Sequence, residues 1–239
     1  MNIPILMYHQ IDEPPPRGTQ LRGLIVSPVS FARQMRLLRF FGYRGMSMRE
    51  LEPYLSGEKQ GKVVGITFDD GYQNNLENAL PVLKRHGFTA TCYGVSSMLG
   101  GTNSWDRNTG IAEKPLMTIE NWRAWLDAGM EVGSHTRTHA DLTKLQTEEA
   151  LQEISESKRE LEEALACEVR HFCYPYGRFT PQHRVMVREA GYVSATTTHR
   201  GRIHAGDDPY ALSRIMVARA THLGLFTAKV MTGYEDGRG

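Results

Sequence analysis

Two short stretches of this chain bring together side chains suited to hydrolysis at a metal ion: Thr67-Phe68-Asp69-Asp70-Gly71 and His135-Thr136-Arg137-Thr138-His139. The first sets two carboxylates side by side. The second sets two imidazoles four residues apart, a spacing that turns both to one side if the chain coils there into a helical turn. One carboxylate and two imidazoles make a three-ligand site with a position left for water. Each motif alone has a plainer reading. An isolated Asp-Asp-Gly is a turn closed by an Asx hydrogen bond, and an isolated histidine pair decorates a helix face. Together, each at the end of a strand-like run, they argue for the metal site.

The elements that must position these groups can be read from hydrophobic patterning. Val63 to Phe68 is apolar and β-branched, the signature of a buried strand. Side chains of neighbouring strand residues face opposite ways, so two adjacent aspartates serving one site must stand where the strand stops, and Gly71 lets the chain turn there. The run 129–135 likewise ends in His135. Further strands are expected at 3–8, 89–95, 170–174, 193–197 and 212–217. Helices are expected at 30–41, 47–56, 74–86, 119–128, 147–166, 181–190 and 221–231. Thr118 and Thr180 stand as N-caps, Pro181 at the first helical position, and Gly87, Gly129 and Gly191 just past helix ends. Strands alternating with helices predict an α/β fold with a parallel sheet, which could close into a barrel or stay open and doubly wound. The Gly- and Pro-rich segments 12–23, 98–115 and 200–210 are too short for linkers. They read as rim loops of a single domain spanning 1–239.

Composition bounds the partners. The chain has 239 residues, 40% hydrophobic and 23% charged, enough to bury a sizeable core. Its 28 basic and 27 acidic residues leave a formal charge of +1, which gives no reason to expect nucleic acid or a strongly anionic surface as partner. Apolar runs are strand-sized, well short of the ~20 residues of a membrane-spanning helix. The N-terminus lacks the basic stretch and cleavage site of a signal peptide, and Cys92, Cys167 and Cys173 show no pairing pattern, so the expectation is a cytoplasmic protein with reduced thiols.

Both motifs resemble those of the polysaccharide deacetylases, the carbohydrate esterases that share the NodB homology domain. The family's first motif is T-F-D-D-G and its second H-[ST]-x-x-H, and both occur here without mismatch. Phe172-Cys173-Tyr174-Pro175-Tyr176-Gly177 is similar to the third, R-x-P-Y, with Cys173 where the arginine would stand. The resemblance runs from Tyr8-His9 to about Val217 and implies a distorted (β/α)7 barrel. It implies one divalent metal ion on Asp70, His135 and His139, with Asp69 as general base. Zinc suits these ligands, and cobalt, nickel, manganese or iron would fit them too. The backbone N–H of Tyr176 would help to hold the oxyanion. The family's late histidine motif, source of the general acid, is missing from the end of the chain, but Ile5-Leu6-Met7-Tyr8-His9 is similar to it, moved to the front. Because a barrel closes on itself, this permuted motif would land in the same place, and His9 is expected as the acid. Arg214 is the candidate for the arginine missing from motif three.

The function implied is removal of acetyl groups from an N-acetylated glycan, oligosaccharide or carrier-linked sugar. Two alternatives stay open: an O-acetyl esterase using the same site, and a carbohydrate-binding homologue that has lost activity, for which the missing motif-three arginine would speak. Trp105 could stack on a sugar or simply anchor its loop. Trp122 and Trp125 read as packing, Cys173 as a small buried residue, and His171, His183, His199, His204 and His222 as structural or solvated.

Overall fold

The structure, a computed structural model, describes residues 2–109 and 111–236. Residues 1, 110 and 237–239, within the expected domain range, lie outside them, Gly110 also within the expected loop 98–115. The strands are β1 (Ile5–Tyr8), β2 (Gln10–Ile11), β3 (Ile25–Val26), β4 (Arg44–Met46), β5 (Val63–Phe68), β6 (Thr91–Gly94), β7 (Glu131–Ser134), β8 (His171–Cys173), β9 (Ser194–Arg200) and β10 (Leu212–Met216). The helices are α1 (Pro28–Phe40), α2 (Met48–Leu55), α3 (Leu80–His86), α4 (Ile119–Asp127), α5 (Thr147–Leu165), α6 (Pro181–Glu189) and α7 (Leu223–Met231).

Seven parallel strands close into a barrel in the order β1-β10-β9-β8-β7-β6-β5, and β5 returns to β1. Closure rests on the first strand. One edge of β1 pairs Leu6 with Ile215 and Met7 with Met216, and the other pairs Ile5 to Tyr8 with Gly65 to Phe68. The remaining edge of β5 is shared: its first half takes the short outer strand β4, its second half β6. Two-residue strands β2 and β3 pair with each other at the rim.

Alternation along the strands sorts the side chains. Leu6 and Tyr8 of β1 and Val64, Ile66 and Phe68 of β5 face the helices and join the larger apolar core with Phe31, Trp122 and Trp125. Ile5, Tyr93, Cys173 and Leu212 meet instead in a second cluster with Met46 and Val63. Gly65 shares this inward parity with Thr67 and then Asp69, so the period of two aims Asp69 at the barrel mouth. A Cβ on Gly65 would press on Leu51 at 3.0 Å and Ile5 at 3.2 Å, so the small residue lets the strand sit close.

Helix boundaries follow their chemistry. Thr118 and Thr180 cap α4 and α6 with reciprocal side-chain bonds, and Gly87 ends α3 in the left-handed conformation. The expected helix 74–86 is not uniform. Asn75–Ala79 is wound as a π-helix, with the Leu80 N–H on Asn75 O, and α3 begins only afterwards. Pro81, with no N–H for the carbonyl four residues back, favours the wider turn. The expected strands at 3–8 and 193–197 shift to Ile5–Tyr8 and Ser194–Arg200, and β4 lies in a segment not expected as strand.

Candidate active site

The C-terminal ends of β1, β5, β7, β8 and β9 meet at one pocket. Its lining includes His9, Asp69, Asp70, His135, His139 and Tyr176. Arg214, wholly buried, lies directly beneath.

Asp69 is held from below. Arg214 donates from both terminal nitrogens to its two carboxylate oxygens at 2.6 and 2.8 Å. The same guanidinium donates to Thr67 Oγ1 at 3.0 Å, to Thr197 O at 2.8 Å and to Cys173 Sγ at 3.2 Å. Burial alone would raise the Asp69 pKa, but the Arg214 charge and bonds outweigh it and the net shift is downward. His9 stands across from this carboxylate, Nε2 3.9 Å from Asp69 Oδ2, with its side chain 18% exposed to the pocket.

Asp70 faces two imidazoles. Its Oδ1 lies 3.4 Å from His135 Nε2 and 3.3 Å from His139 Nε2, and one ligand atom from each of the three falls within 4.8 Å of the others. His135 Nδ1 donates to the Cys173 carbonyl at 2.7 Å, and His139 Nδ1 meets the Tyr176 hydroxyl at 3.1 Å. A carbonyl can only accept, so His135 keeps a proton on Nδ1, and Nε2 is the ring atom turned toward the Asp70 carboxylate. One carboxylate oxygen and two imidazole Nε2 atoms make a donor set that fits a divalent ion. A second trio, Asp69, His135 and Cys173, is equally close. Two of its three members are already engaged by Arg214, which donates to both Asp69 and Cys173.

Backbone strain is concentrated here. Among the described residues six non-glycines have positive φ, and four of them (Asp70, Thr136, His139 and Tyr176) lie in the motifs. At Asp70, φ of 75° breaks the strand's alternation just after Asp69, so both neighbours face the pocket. The expected helical turn between His135 and His139 is absent. The segment is an irregular loop in which left-handed Thr136 (63°) and His139 (62°) fold the second imidazole back beside the first. Glu153 fastens that loop through the N–H groups of Arg137 and Thr138, each at 2.9 Å. Tyr176 (58°) and Gly177 (67°) form the third tight corner, and a Cβ on Gly177 would fall 1.9 Å from Thr198 Oγ1. This turn's own hydrogen bonds use the N–H groups of Gly177 and Arg178.

A family model described as polysaccharide deacetylase matches residues 56–195. The chain belongs to the polysaccharide deacetylase family. YxkH of Bacillus subtilis (strain 168), which carries a polysaccharide deacetylase name, is 30% identical over 218 residues, 90% of this chain and 71% of YxkH. The poly-beta-1,6-N-acetyl-D-glucosamine N-deacetylase of Staphylococcus aureus (strain MRSA252) is 22% identical over 211 residues, 83% of this chain and 70% of that protein. The Streptococcus pyogenes deacetylase PplD, solved in complex with acetate, matches with TM-score 0.84 and 27% identity over 96% of this chain and 98% of PplD.

In this polysaccharide deacetylase chain, Cys173 replaces the motif-three arginine and is fully buried, while Arg214 brings a guanidinium to Asp69 from a different strand. Trp105 stacks on His139 at 4.5 Å and lines the pocket, so its ring is bound to the site and not merely to its loop. Trp122 and Trp125 are buried in the core. His183 and His222 cap helices, and His171 is buried against Ser194.

Sequence reasoning missed Asn75. Its amide donates to the His9 carbonyl at 2.7 Å and accepts from the Ile11 N–H at 3.1 Å, clamping the chain on both sides of Gln10. The signal was the Asn74-Asn75 pair so soon after Asp-Asp-Gly, in a stretch otherwise patterned as helix. Tyr72, on the pocket wall, was missed as well.

Proposed function

We propose that the chain is a single-domain, metal-dependent deacetylase of N-acetylated glycans, with Asp69 as general base, His9 as general acid, Arg214 and the Tyr176 amide as supporting groups, and Asp70, His135 and His139 as metal ligands. The observation that carries this reading is the division of the aspartates: Asp69 engages a buried guanidinium, while Asp70 faces two imidazole Nε2 atoms. A divalent ion on the second set, zinc before cobalt, nickel, manganese or iron, would lower the pKa of water and polarise the acetyl oxygen.

The residues then divide the proton work. Arg214 keeps Asp69 ionised, so it can accept a proton from water as the water oxygen adds to the acetyl carbon. The Tyr176 N–H donates to the oxygen on which charge develops; such a donor is worth about 3 kcal/mol of barrier. His9 delivers a proton to the sugar nitrogen as the C–N bond breaks, because an amine anion is a poor leaving group. Acetate and a free amino sugar result. A substrate resembling that of the staphylococcal relative, a β-linked N-acetylglucosamine polymer, is the first to try.

An O-acetyl ester could be cleaved at the same site with less need for His9. The test is acetate release from N-acetylated glucosamine oligosaccharides and from a simple acetyl ester, with metal-stripped and zinc- or cobalt-reloaded protein. Metal-dependent release from the amide supports the proposal. Release from the ester alone transfers the reading to an esterase, and release from neither overturns both.

A further inference from the structure

The charge sum of +1 conceals an uneven distribution. From Pro14 to Arg49 the chain carries arginines at 17, 22, 33, 36, 39, 44 and 49 and no aspartate or glutamate. Arg44 and Arg49 find carboxylates on Glu50, Glu131 and Glu168. The other five make no ion pair among the described residues, and neither do Arg85 of α3 and Arg219 before α7.

The fold gathers these charges on one side. Helix α1 packs between α3 and α7. Arg33 and Arg219 line one hollow with Leu223. Partial burial lowers the His86 pKa, and the nearby charges of Arg85, Arg39 and Arg36 lower it further. Arg22, besides some desolvation, feels Arg219 and Arg17 in the same way.

Large apolar side chains are exposed on the same side. Val29, Arg33, Arg36 and Phe40 recur at helical spacing along the outer face of α1. Phe40 is 80% exposed and packs edge-on against Phe41, and Leu21, Val29 and Leu223 are also exposed. Four of the ten exposed large hydrophobic residues among those described, Val29, Phe40, Phe41 and Leu223, belong to this face, and Leu21 lies in the adjoining loop.

We propose that this α1 face docks on an anionic lipid bilayer, with the arginines on lipid phosphates and Val29 and Phe40 entering the headgroup layer. Charge complementarity selects an anionic partner. The apolar side chains select lipid among anions, since a soluble polyanion would satisfy the arginines and leave Phe40 in water. Arg17 and Arg22 sit in the loop whose Pro15, Leu21 and Leu24 line the pocket, so docking would bring the pocket mouth close to the membrane surface.

The test is cosedimentation of the full chain with phosphatidylcholine vesicles, with and without a quarter of phosphatidylglycerol. The wild type should bind the anionic vesicles only, and less at high salt. Each arginine near the surface contributes about five-fold, so the Arg33→Gln, Arg36→Gln, Arg39→Gln triple variant should lose about 100-fold. Phe40→Ser should lose about ten-fold on vesicles and nothing on heparin. Both variants change exposed residues, and their thermal midpoints and acetate release from a soluble substrate should match wild type. Absence of vesicle binding by the wild type, or a triple variant that binds as well, overturns the proposal. Equal binding to heparin with Phe40→Ser unaffected on vesicles overturns it in favour of a soluble polyanion. Vesicle binding requires no turnover, so this inference and the deacetylase proposal fail separately.

Discussion

Asp69 and Asp70 are neighbours in the chain, yet one is paired with a guanidinium and the other faces two imidazoles, and their proposed roles follow from those surroundings. Arg214 holds Asp69 below the ordinary carboxylate range against the opposing effect of burial. In Arg214→Met the burial stays and the counter-charge goes, so the Asp69 pKa rises and the carboxylate is protonated at higher pH. The acid limb of the kcat/KM profile should therefore move upward in pH. The same change strands a buried carboxylate and should lower stability by about 3–5 kcal/mol, read from denaturant midpoints. His9 invites a different comparison. In the proposed mechanism its proton goes to the leaving nitrogen, so His9→Ala should cost about 100- to 10,000-fold on an N-acetyl sugar and far less on an activated acetyl ester. Equal losses on both substrates would contradict the acid role.

At the scale of elements, what was legible depended on how local the cause was. The strand Val63–Phe68 was read to the residue, because an apolar, largely β-branched run broken only by Gly65 and ending in Asp-Asp-Gly is set by its own sequence. The path from His135 to His139 was not. The spacing allowed a helical turn, but two left-handed residues and the Glu153 carboxylate, both outside any periodic pattern, decide the loop. Short β4 was illegible for a similar reason: three residues paired only with the first half of β5 leave no alternation to read. The Tyr176-Gly177 corner gives a direct test. Gly177→Ala combines a positive φ with a Cβ 1.9 Å from Thr198 Oγ1, so the turn must move. We expect a loss of about 1–3 kcal/mol in stability and a further drop in kcat as the Tyr176 amide shifts.

Helix α2 is tied to the base of β8 by Glu52, which takes two 2.8 Å bonds from Arg170 and lies 3.2 Å from His171 Nε2. The nearby His171 imidazole first, then the bonds from Arg170, bring the Glu52 pKa from 4.5 to about 2 despite partial burial. A depressed carboxylate adds stability above its unfolded pKa and loses it as pH falls through the folded value. The contribution should be complete above about pH 4.5 and fade toward pH 2. Glu52→Gln should accordingly lower the thermal midpoint at neutral pH, with the gap to wild type closing across that window.

For the whole molecule, the alternation of strands and helices foretold a parallel α/β fold but not its closure, because buried parallel strands have the same composition in open sheets and in barrels. Closure was implied by the family resemblance, and the permuted position of His9 made sense only in a closed ring. Pairing of β1 with both β10 and β5 seats that histidine beside Asp69. Arg214 was legible only as a substitute for a missing arginine, since its partner is 145 residues away. The arginine face of α1 was hidden by a balanced charge sum, which records how many charges there are and not where folding puts them. The site as a whole rests on one claim, that the adjacent aspartates do different jobs. The most direct test is to measure bound metal and acetate release together in Asp69→Asn and Asp70→Asn. Asp69→Asn should keep its metal and lose turnover, while Asp70→Asn should lose both; metal lost from Asp69→Asn and retained by Asp70→Asn, or normal turnover in either variant, would overturn the division of roles.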